Sequence, residues 1–282
     1  MSTIVIDGKA LAADVKSRIA VRIAEKNHKP HLAVILVGDD EASLVYDRSK
    51  QKAAKAVGME CDIFHLEEKT SEDELLALIE HLNQDENIHG ILVQLPLPAQ
   101  INPEKIIGAI LPQKDVDGFN PYNAGLLQSG SDKAVVAATP KGILHILHSV
   151  YPSLKGMHAV IIGRSNIVGR PLASLLLNHD CTVTVAHSKT ANLPELCATA
   201  DILVAACGCP KLVKRNWVKS GAAVIDVGIN RIEGKLCGDV DFEDVCGQAG
   251  FITPVPGGVG PMTIAMLLEN TYQAYLNQTE HS

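Results

Sequence analysis

Short apolar runs alternate with amphipathic helical stretches along this chain, and that alternation restricts its fold more than any other feature. The runs from His31 to Val37 and from Gly90 to Val93 are almost wholly apolar, which is typical of strands buried on both faces of a parallel sheet. Apolar residues at positions 11, 15, 19 and 23 form one stripe of a helix that ends near Asn27. Because parallel strands need crossover connections, usually helices, the pattern predicts an α/β fold.

The first lobe continues this alternation as far as a turn-rich segment. We predict helices at 41–57 and 71–83, strands at 61–66 and 90–93, and a short helix that begins at Asn102 and Pro103 and stops before Pro112. From there to Ala138 the sequence is rich in turn-forming residues, so we place the domain boundary in this segment.

The second half repeats strand and helix more regularly. A helix should run from Thr139 to about Val150, and a last amphipathic helix should follow the loop 254–261. We predict strands at 158–162, 182–186, 201–205, 222–226 and near Phe251, with helices at 168–178 and from about Leu193. This is the layout of a Rossmann-type, doubly wound parallel sheet. We therefore expect one domain from residues 1–120 and 265–282, and a second from residues 121–264.

Composition and charge exclude several functional classes. The net charge of −7 argues against a nucleic-acid partner. We expect neither a signal peptide nor a membrane span, because the first residues lack a basic-then-apolar pattern and no run approaches about 20 apolar residues. Seven cysteines, several of them in apolar runs, favour a reducing cytoplasm, and the close pair Cys207 and Cys209 lacks the spacing of a zinc or redox motif. We expect a cytoplasmic protein without a metal site.

The segment from Gly163 to Pro171 has the context of a dinucleotide-binding turn, because it follows an apolar strand and precedes a helix. Its spacing departs from G-x-G-x-x-G: Ser165 stands at the second glycine position, and Gly169 comes one residue late. Gly163 still permits a tight turn, Gly169 permits close packing of the helix, and N–H groups at the helix start attract a pyrophosphate. A plain surface turn with two glycines is the alternative.

The residues after the next strand favour NADP over NAD. An acid that would hold the ribose hydroxyls of NAD should end the strand Thr182 to Ala186, but the chain continues with His187 and Ser188. Arg164, Ser188 and Lys189 instead offer donors and positive charge to a 2′-phosphate. Lys189 as an ordinary solvated loop charge is the alternative.

Four polar residues in the first lobe are candidates for chemistry. Tyr46 and Lys50 lie four residues apart and share one helix face, and a lysine on a face turned toward apolar neighbours is a candidate general acid or base. Gln94 ends a buried strand at the carboxyl edge, where α/β sites form. Asp117 precedes the domain junction. The competing interpretations are a snorkelling surface lysine beside a core-edge tyrosine, and an ordinary Asp-Gly turn.

These motifs, together with the segments 37–43, 139–142 and 256–263, closely resemble the bifunctional methylenetetrahydrofolate dehydrogenase/cyclohydrolase family over nearly the whole chain. Asn120 stands where the family often has His, and Ala137-Ala138 stands where Pro-Cys is common. The resemblance implies that NADP oxidises 5,10-methylenetetrahydrofolate to the methenyl cation, which water then opens to the 10-formyl compound at the same site. It also implies a homodimer.

The resemblance assigns roles to individual residues. Lys50 would be the essential acid/base group, Gln94 would hydrogen-bond to it, and Tyr46 would stack on the folate and steer Lys50. Asp117 would anchor the pterin ring, whose two parallel donors match the two oxygens of a carboxylate. In the second lobe, the family suggests backbone contacts from Ile229 and from the loop before Pro261 near the nicotinamide, with Pro261 among the substrate contacts.

Two other functions remain as alternatives at this point. One is a different two-domain NADP dehydrogenase, of the shikimate type, that uses Lys50 and Asp117 on a hydroxy acid; the strand that ends in Gln94 argues against it. The other is a folate-binding or regulatory protein that has lost catalysis, which the presence of both Lys50 and the cofactor turn disfavours. A formate-activating ligase domain is excluded, because the chain has no G-x-x-x-x-G-K-[ST] loop.

Overall fold

A computed structural model describes residues 2–39 and 41–280, except for the side chains of residues 41–47. The elements in chain order are β1 (Ile4–Val5), α1 (Gly8–Ala24), β2 (His31–Val37), α2 (Glu41–Ala56), β3 (Glu60–Leu66), α3 (Glu72–Gln84), β4 (Gly90–Val93), α4 (Pro103–Ala109), α5 (Pro121–Gln128), α6 (Ala138–Val150), β5 (His158–Ile162), α7 (Gly169–Leu177), β6 (Thr182–Ala186), α8 (Leu193–Cys197), β7 (Ile202–Ala205), β8 (Ala223–Asp226), β9 (Asn230–Ile232), β10 (Lys235–Cys237), α9 (Phe242–Val245), β11 (Phe251–Ile252) and α10 (Val259–Thr279). A short 3₁₀ turn spans Arg215–Trp217. No helix within the described residues combines the length and hydropathy needed to cross a membrane.

The chain divides into two compact units, named here after their sheets. The six-stranded unit comprises Met1–Ala12, Leu127–Ser131 and Thr139–Thr263. The three-stranded unit comprises Ala13–Leu126, Asp132–Ala138 and Ile264–Ser282. These bounds differ from the domain bounds expected from sequence in two places. At the N-terminus, β1 pairs with β11 and so groups the first residues with the six-stranded unit. Residues 121–126 and 132–138, expected in the second domain, belong to the three-stranded unit.

The six-stranded unit is built on a parallel sheet with the strand order β1-β11-β8-β7-β5-β6. Its central strands β7 and β8 are buried along their whole length, as expected for strands covered on both faces. Because consecutive strands connect through helices on a parallel sheet, their carboxyl ends all meet at one edge. The predicted doubly wound α/β fold is confirmed.

The three-stranded unit contains a parallel sheet with the order β3-β2-β4. Strands β2 and β4 are buried, and α3 packs Leu75, Ile79 and Leu82 into the same core. Ser71 begins α3 with a capping box, in which its hydroxyl accepts from the N–H of Glu74 and the Glu74 carboxylate accepts from the N–H of Ser71. This core holds the carboxyl ends of β2 and β4 in register.

Several features differ from the sequence predictions, among them the short elements β1 and α9, which were not predicted. Helix α5 lies in the segment predicted as turns, where the Asn120 side chain accepts from the N–H of Tyr122 and starts the helix. An Asn-Pro pair therefore precedes this helix as it precedes α4, where it had served to predict the helix start. The antiparallel hairpin β9–β10 was not predicted. Helix α10 begins at Val259, inside the segment that was expected to be a loop.

Candidate active site

A buried lysine and a glutamine meet at the carboxyl edge of the three-stranded sheet. Lys50 lies on α2 with only 3% of its surface exposed. Gln94 follows β4 directly, and its backbone N–H donates to the carbonyl of Ile35 on β2 at 2.8 Å. The Nζ of Lys50 donates to the Oε1 of Gln94 at 2.5 Å. The structure thus brings together two residues that are 44 positions apart in sequence, and a surface position for Lys50 is excluded.

The amide of Gln94 is held in one orientation. Its Nε2 donates to the carbonyl of Leu95 at 2.7 Å, so its Oε1 is the atom left to face Lys50. An amide oxygen accepts a hydrogen bond without carrying charge, and so it orients the amine of Lys50 without adding a counter-charge beside it. This is a suitable environment for a group that has to gain and lose a proton. The side chain of Tyr46, one turn earlier on α2, lies outside the described residues.

Asp117 lies at the same edge of the sheet. The segment before it runs beside β4, with the N–H of Ile91 donating to the carbonyl of Lys114 at 2.7 Å and with Ile91 paired to Asp115 in a parallel bridge. Asp117 is therefore two residues beyond that bridge, at the level where β4 ends. Removal of its carboxyl from water raises the pKa of Asp117 to about 7; the charge of Lys50 opposes this rise and that of Asp115 adds to it.

In the six-stranded unit, the two glycines of the dinucleotide turn are fixed by close backbone contacts. Gly163 has a φ of +125°, and a Cβ atom there would lie 2.1 Å from the carbonyl oxygen of Ala206. A Cβ atom on Gly169 would lie 2.1 Å from the carbonyl oxygen of Gly163. Both positions therefore require glycine, as expected for a tight turn followed by a closely packed helix. A plain surface turn would not impose this constraint.

Ser165 plays a part that the sequence did not reveal. Its hydroxyl accepts from the N–H groups of Val168 and Gly169 at 3.2 and 3.4 Å, so it caps the start of α7. The expectation that N–H groups at the helix start are available to a pyrophosphate therefore needs correction. In the part of the chain that the structure describes, the N–H groups of Ser165, Asn166 and Ile167 donate to no protein acceptor. The turn itself, and not the first turn of α7, offers donors to an anion.

The strand register brings Arg164 and Ser188 to the same edge. Ile162 on β5 pairs with Ala186 on β6, and Arg164 and Ser188 each lie two residues beyond that pair. Both are exposed, as is Lys189. Parallel neighbours lie about 4.8 Å apart, so the three residues follow adjacent strand ends at one edge of the sheet.

Comparison with known proteins identifies the chain. The family description "Tetrahydrofolate dehydrogenase/cyclohydrolase, catalytic domain" matches residues 6–117, and "Tetrahydrofolate dehydrogenase/cyclohydrolase, NAD(P)-binding domain" matches residues 137–279. The bifunctional protein FolD of Listeria innocua is 54% identical over 274 residues, covering 96% of each chain. The chain belongs to the tetrahydrofolate dehydrogenase/cyclohydrolase family.

Solved structures of the tetrahydrofolate dehydrogenase/cyclohydrolase family share the fold of the whole chain. The bifunctional dehydrogenase/cyclohydrolase of Campylobacter jejuni has 48% identity and a TM-score of 0.96, covering 98% of this chain and 99% of its own. The enzyme of Trypanosoma brucei, solved with NADP and an inhibitor, has 37% identity and a TM-score of 0.93, covering 98% of both chains. The chain therefore carries methylenetetrahydrofolate dehydrogenase and methenyltetrahydrofolate cyclohydrolase activity. The hydroxy-acid dehydrogenase and noncatalytic alternatives are set aside.

The two remaining predicted site residues of this tetrahydrofolate dehydrogenase/cyclohydrolase lie in the six-stranded unit. Ile229 follows β8 and is 71% exposed. Pro261 is partly exposed and lies in the first turn of α10. Both belong to a different unit from Lys50, Gln94 and Asp117, so their contacts with substrate or cofactor remain predictions.

A pair of buried carboxylates supports the loops near Ile229 and was missed in the sequence. Asp239 is fully buried; its Oδ2 accepts from the N–H groups of Cys207 and Gly208, and its Oδ1 accepts from the side chain of Asn230. Asp226 accepts from the N–H groups of Asp239 and Val240. Burial raises the pKa of Asp226 to about 6. These acids fix the loops after β7 and β8 at the carboxyl edge of the sheet.

Proposed function

We propose that Lys50, Gln94 and Asp117 form the site at which the folate substrate binds and reacts. The observation that carries this proposal is the hydrogen bond between the buried Lys50 and Gln94, close enough to Asp117 for the charge of Lys50 to affect its carboxyl. Three polar groups that converge at the carboxyl edge of a parallel sheet are the usual composition of an α/β active site. Tyr46, predicted to stack on the folate, completes the proposed set.

Lys50 is the proposed group that moves protons in the cyclohydrolase step. Its Nζ takes a proton from the water that adds to the one-carbon bridge of the methenyl substrate. A proton then passes back to the ring nitrogen N5 as the bond from that nitrogen to the carbon breaks. The hydroxyl that came from water loses its remaining proton to solvent and becomes the formyl carbonyl on N10, so the step releases one proton overall. Such general acid–base catalysis typically contributes about 10²–10⁴-fold to the rate. Gln94 keeps the amine pointed at this position.

Asp117 is proposed to bind the pterin. An ionised carboxylate presents two acceptor oxygens to the ring N–H and the exocyclic amine, and such paired bonds to a charged acceptor are strong. The position of Asp117, one residue from a glycine turn and two from the bridge to β4, supports this role. Only the ionised form can accept both hydrogen bonds.

The cofactor is NADP, and we assign its binding to the turn that contains Gly163 and Ser165. The N–H groups of this turn suit the pyrophosphate, and Arg164, Ser188 and Lys189 suit the 2′-phosphate, with no acid at the end of β6 to select the free hydroxyls of NAD. When bound, NADP accepts the hydride from the one-carbon bridge of methylenetetrahydrofolate. Ile229 and Pro261 are proposed contacts near the reacting groups.

The proposed domain roles follow the same division. Residues 1–120 and 265–282 would bind folate, and residues 121–264 would bind NADP. The matched descriptions support the order of the two roles along the chain, with the catalytic match at 6–117 and the NAD(P)-binding match at 137–279. We also propose a homodimer, supported by the family resemblance and by partly exposed apolar residues Ile232 and Leu236 on the β9–β10 hairpin. Cytoplasmic location is supported by the cysteines, none of which forms a disulfide within the described residues.

The pH dependence of substrate binding tests the role of Asp117. Because its pKa in the unliganded protein is about 7, protonation below pH 7 removes an acceptor that the pterin needs. The dehydrogenase kcat/KM for methylenetetrahydrofolate should therefore decrease as the pH falls below 7, with a limiting slope of about tenfold per pH unit. Above pH 7 it should level off.

The matched variant for this test is Asp117→Asn, which keeps the shape and removes the titration. Its kcat/KM should be low at all pH values and should lack the acid limb of the wild-type profile, while KM for NADP stays unchanged. A wild-type profile that is flat from acid to neutral pH, or a variant that retains the wild-type KM for the folate, would remove Asp117 from the substrate site.

A further inference from the structure

The buried carboxylate of Asp115 organises the loop that contains Asp117. Asp115 is 2% exposed. Its Oδ1 accepts from the N–H groups of Gly118 and Phe119 at 3.0 and 3.2 Å. Its Oδ2 accepts from the N–H of Asn120 at 2.8 Å and from the side chain of Asn123 at 3.0 Å. One side chain thus supplies the acceptors for three consecutive backbone N–H groups immediately after Asp117.

The chain on both sides of Asp117 is held by further contacts. The carbonyl of Val116 accepts from the Nδ2 of Asn270 at 2.9 Å, and the same Nδ2 donates to the carbonyl of Val136 at 2.9 Å. Gly118 has a φ of +74°, and a Cβ atom there would lie 2.5 Å from the backbone nitrogen of Ala137. Asp117 therefore lies between two residues whose backbones are in direct contact with other segments of the three-stranded unit.

Asp115 and Asp117 also interact through their charges. Burial raises the pKa of Asp115, and its bonds to Asn123 and to the three backbone N–H groups act in the opposite direction. The negative charge of Asp115 in turn raises the pKa of Asp117. A change at Asp115 should therefore affect both where the Asp117 carboxyl lies and the pH at which it ionises.

We propose that Asp115 is a positioning residue for the folate reaction: its carboxylate folds the loop 115–123 so that Asp117 presents both carboxylate oxygens to the pterin. The proposal rests on the proposed role of Asp117. Two carboxylates that lie close together and away from water oppose each other's ionisation unless hydrogen-bond donors stabilise the charge. Asp115 has four within the loop, which leaves Asp117 available to the substrate.

The test is Asp115→Asn, because an amide retains the shape but replaces one acceptor oxygen with a donor. Two of the four loop hydrogen bonds would be lost, and the loop should no longer hold Asp117 in place. We expect KM for methylenetetrahydrofolate to rise about tenfold or more, as for the loss of hydrogen bonds to a buried charged group, with KM for NADP within about twofold of wild type. Removal of the Asp115 charge should also move the acid limb of the kcat/KM profile to lower pH, which a purely structural defect would not do.

Asn123→Ala separates the two effects. It removes the hydrogen bonds from the Asn123 side chain to Asp115 and to the carbonyl of Pro112, and the acceptor for the N–H of Val135, but it keeps the Asp115 carboxyl group. It should raise KM for the folate and leave the acid limb near its wild-type position. The surface variant Asp14→Asn, at an exposed ion pair with Arg18, is the control for the loss of an acid and should behave as wild type.

The outcomes distinguish this inference from the proposed function. If Asp117→Asn impairs folate binding but Asp115→Asn and Asn123→Ala do not, the positioning role is wrong and the substrate role of Asp117 stands. If Asp117→Asn itself has no effect on folate binding, the proposed substrate role of Asp117 is wrong. If Asp115→Asn does not fold, Asn123→Ala decides: a raised KM for the folate with an unchanged KM for NADP supports the proposal, and an unchanged KM for both overturns it.

Discussion

Replacement of Lys50 by methionine is expected to abolish cyclohydrolase activity while leaving the affinity for NADP nearly intact. Methionine has a similar length and suits a site that is only 3% exposed, so the fold should tolerate it. It cannot donate to Gln94 or accept a proton from water. Removal of the general acid–base group should therefore lower the hydrolysis rate by at least about 10²–10⁴-fold.

The measurement is methenyltetrahydrofolate hydrolysis for wild type and Lys50→Met, with NADP affinity determined by equilibrium titration. Lys52→Met provides the control, since Lys52 is an exposed lysine on the same helix. Its activity should equal that of wild type. A Lys50→Met protein that hydrolyses the substrate at a rate near that of wild type would remove Lys50 from the mechanism.

The second large effect is expected at the cofactor turn, from Gly169→Ala. The added Cβ would lie 2.1 Å from the carbonyl oxygen of Gly163 and 2.7 Å from its carbonyl carbon. Both are backbone atoms, so no side-chain rotation can relieve the overlap, and the turn and α7 must move apart. Such overpacking typically costs about 1–3 kcal/mol. Where this cost falls on the NADP complex, NADP affinity should decrease about 10- to 100-fold.

NADP titration and thermal unfolding together measure this effect. Gly125→Ala is the matched control, because no atom lies within 4 Å of a Cβ there and Gly125 lies inside helix α5. That control should bind NADP normally and be slightly more stable, since alanine favours a helix by roughly 0.5–1 kcal/mol. Unchanged NADP affinity in a folded Gly169→Ala protein would show that the turn does not shape the cofactor site.

The sequence predicts those parts of the structure that depend on local patterns. Buried parallel strands such as β2 and β4 are recognisable because nearly every residue is apolar, His31 being the exception. Gly163 and Gly169 are recognisable because they follow a strand and precede a helix. In both cases the residues that specify the element are close together in sequence, because a strand or a turn spans only a short segment of chain.

Features that depend on distant partners could not be predicted in this way. Strand β1 is two residues long and partly exposed, and it exists only because it pairs with β11. Asp115 and Asp239 look like ordinary turn acids in sequence, and only the fold shows that their carboxylates are buried and accept from loop N–H groups. Ser165 could be recognised as a departure from a glycine motif, but its capping of α7 needed the geometry of the turn.

Asn120 illustrates a signal that was present and misread. It precedes Pro121, as Asn102 precedes Pro103, and both asparagine side chains accept from N–H groups in the first turn of a helix. Turn-forming residues on both sides of the second helix, at Asp117-Gly118 and at 129–132, made a turn the more favoured interpretation. The contacts of Asn120 with the carbonyls of Ile107 and Ile110 stabilise the helix start from outside it.

The most direct test is a paired assay of the purified wild-type protein with methylenetetrahydrofolate and NADP, in which reduced cofactor and 10-formyltetrahydrofolate are measured in the same time course. We expect both products to form. We also expect catalytic efficiency with NADP clearly to exceed that with NAD, because Arg164 and Ser188 are proposed to recognise the 2′-phosphate. Equal efficiency with NAD would contradict the assignment of these residues. Absence of reduced cofactor would contradict the dehydrogenase activity and the proposed folate site together.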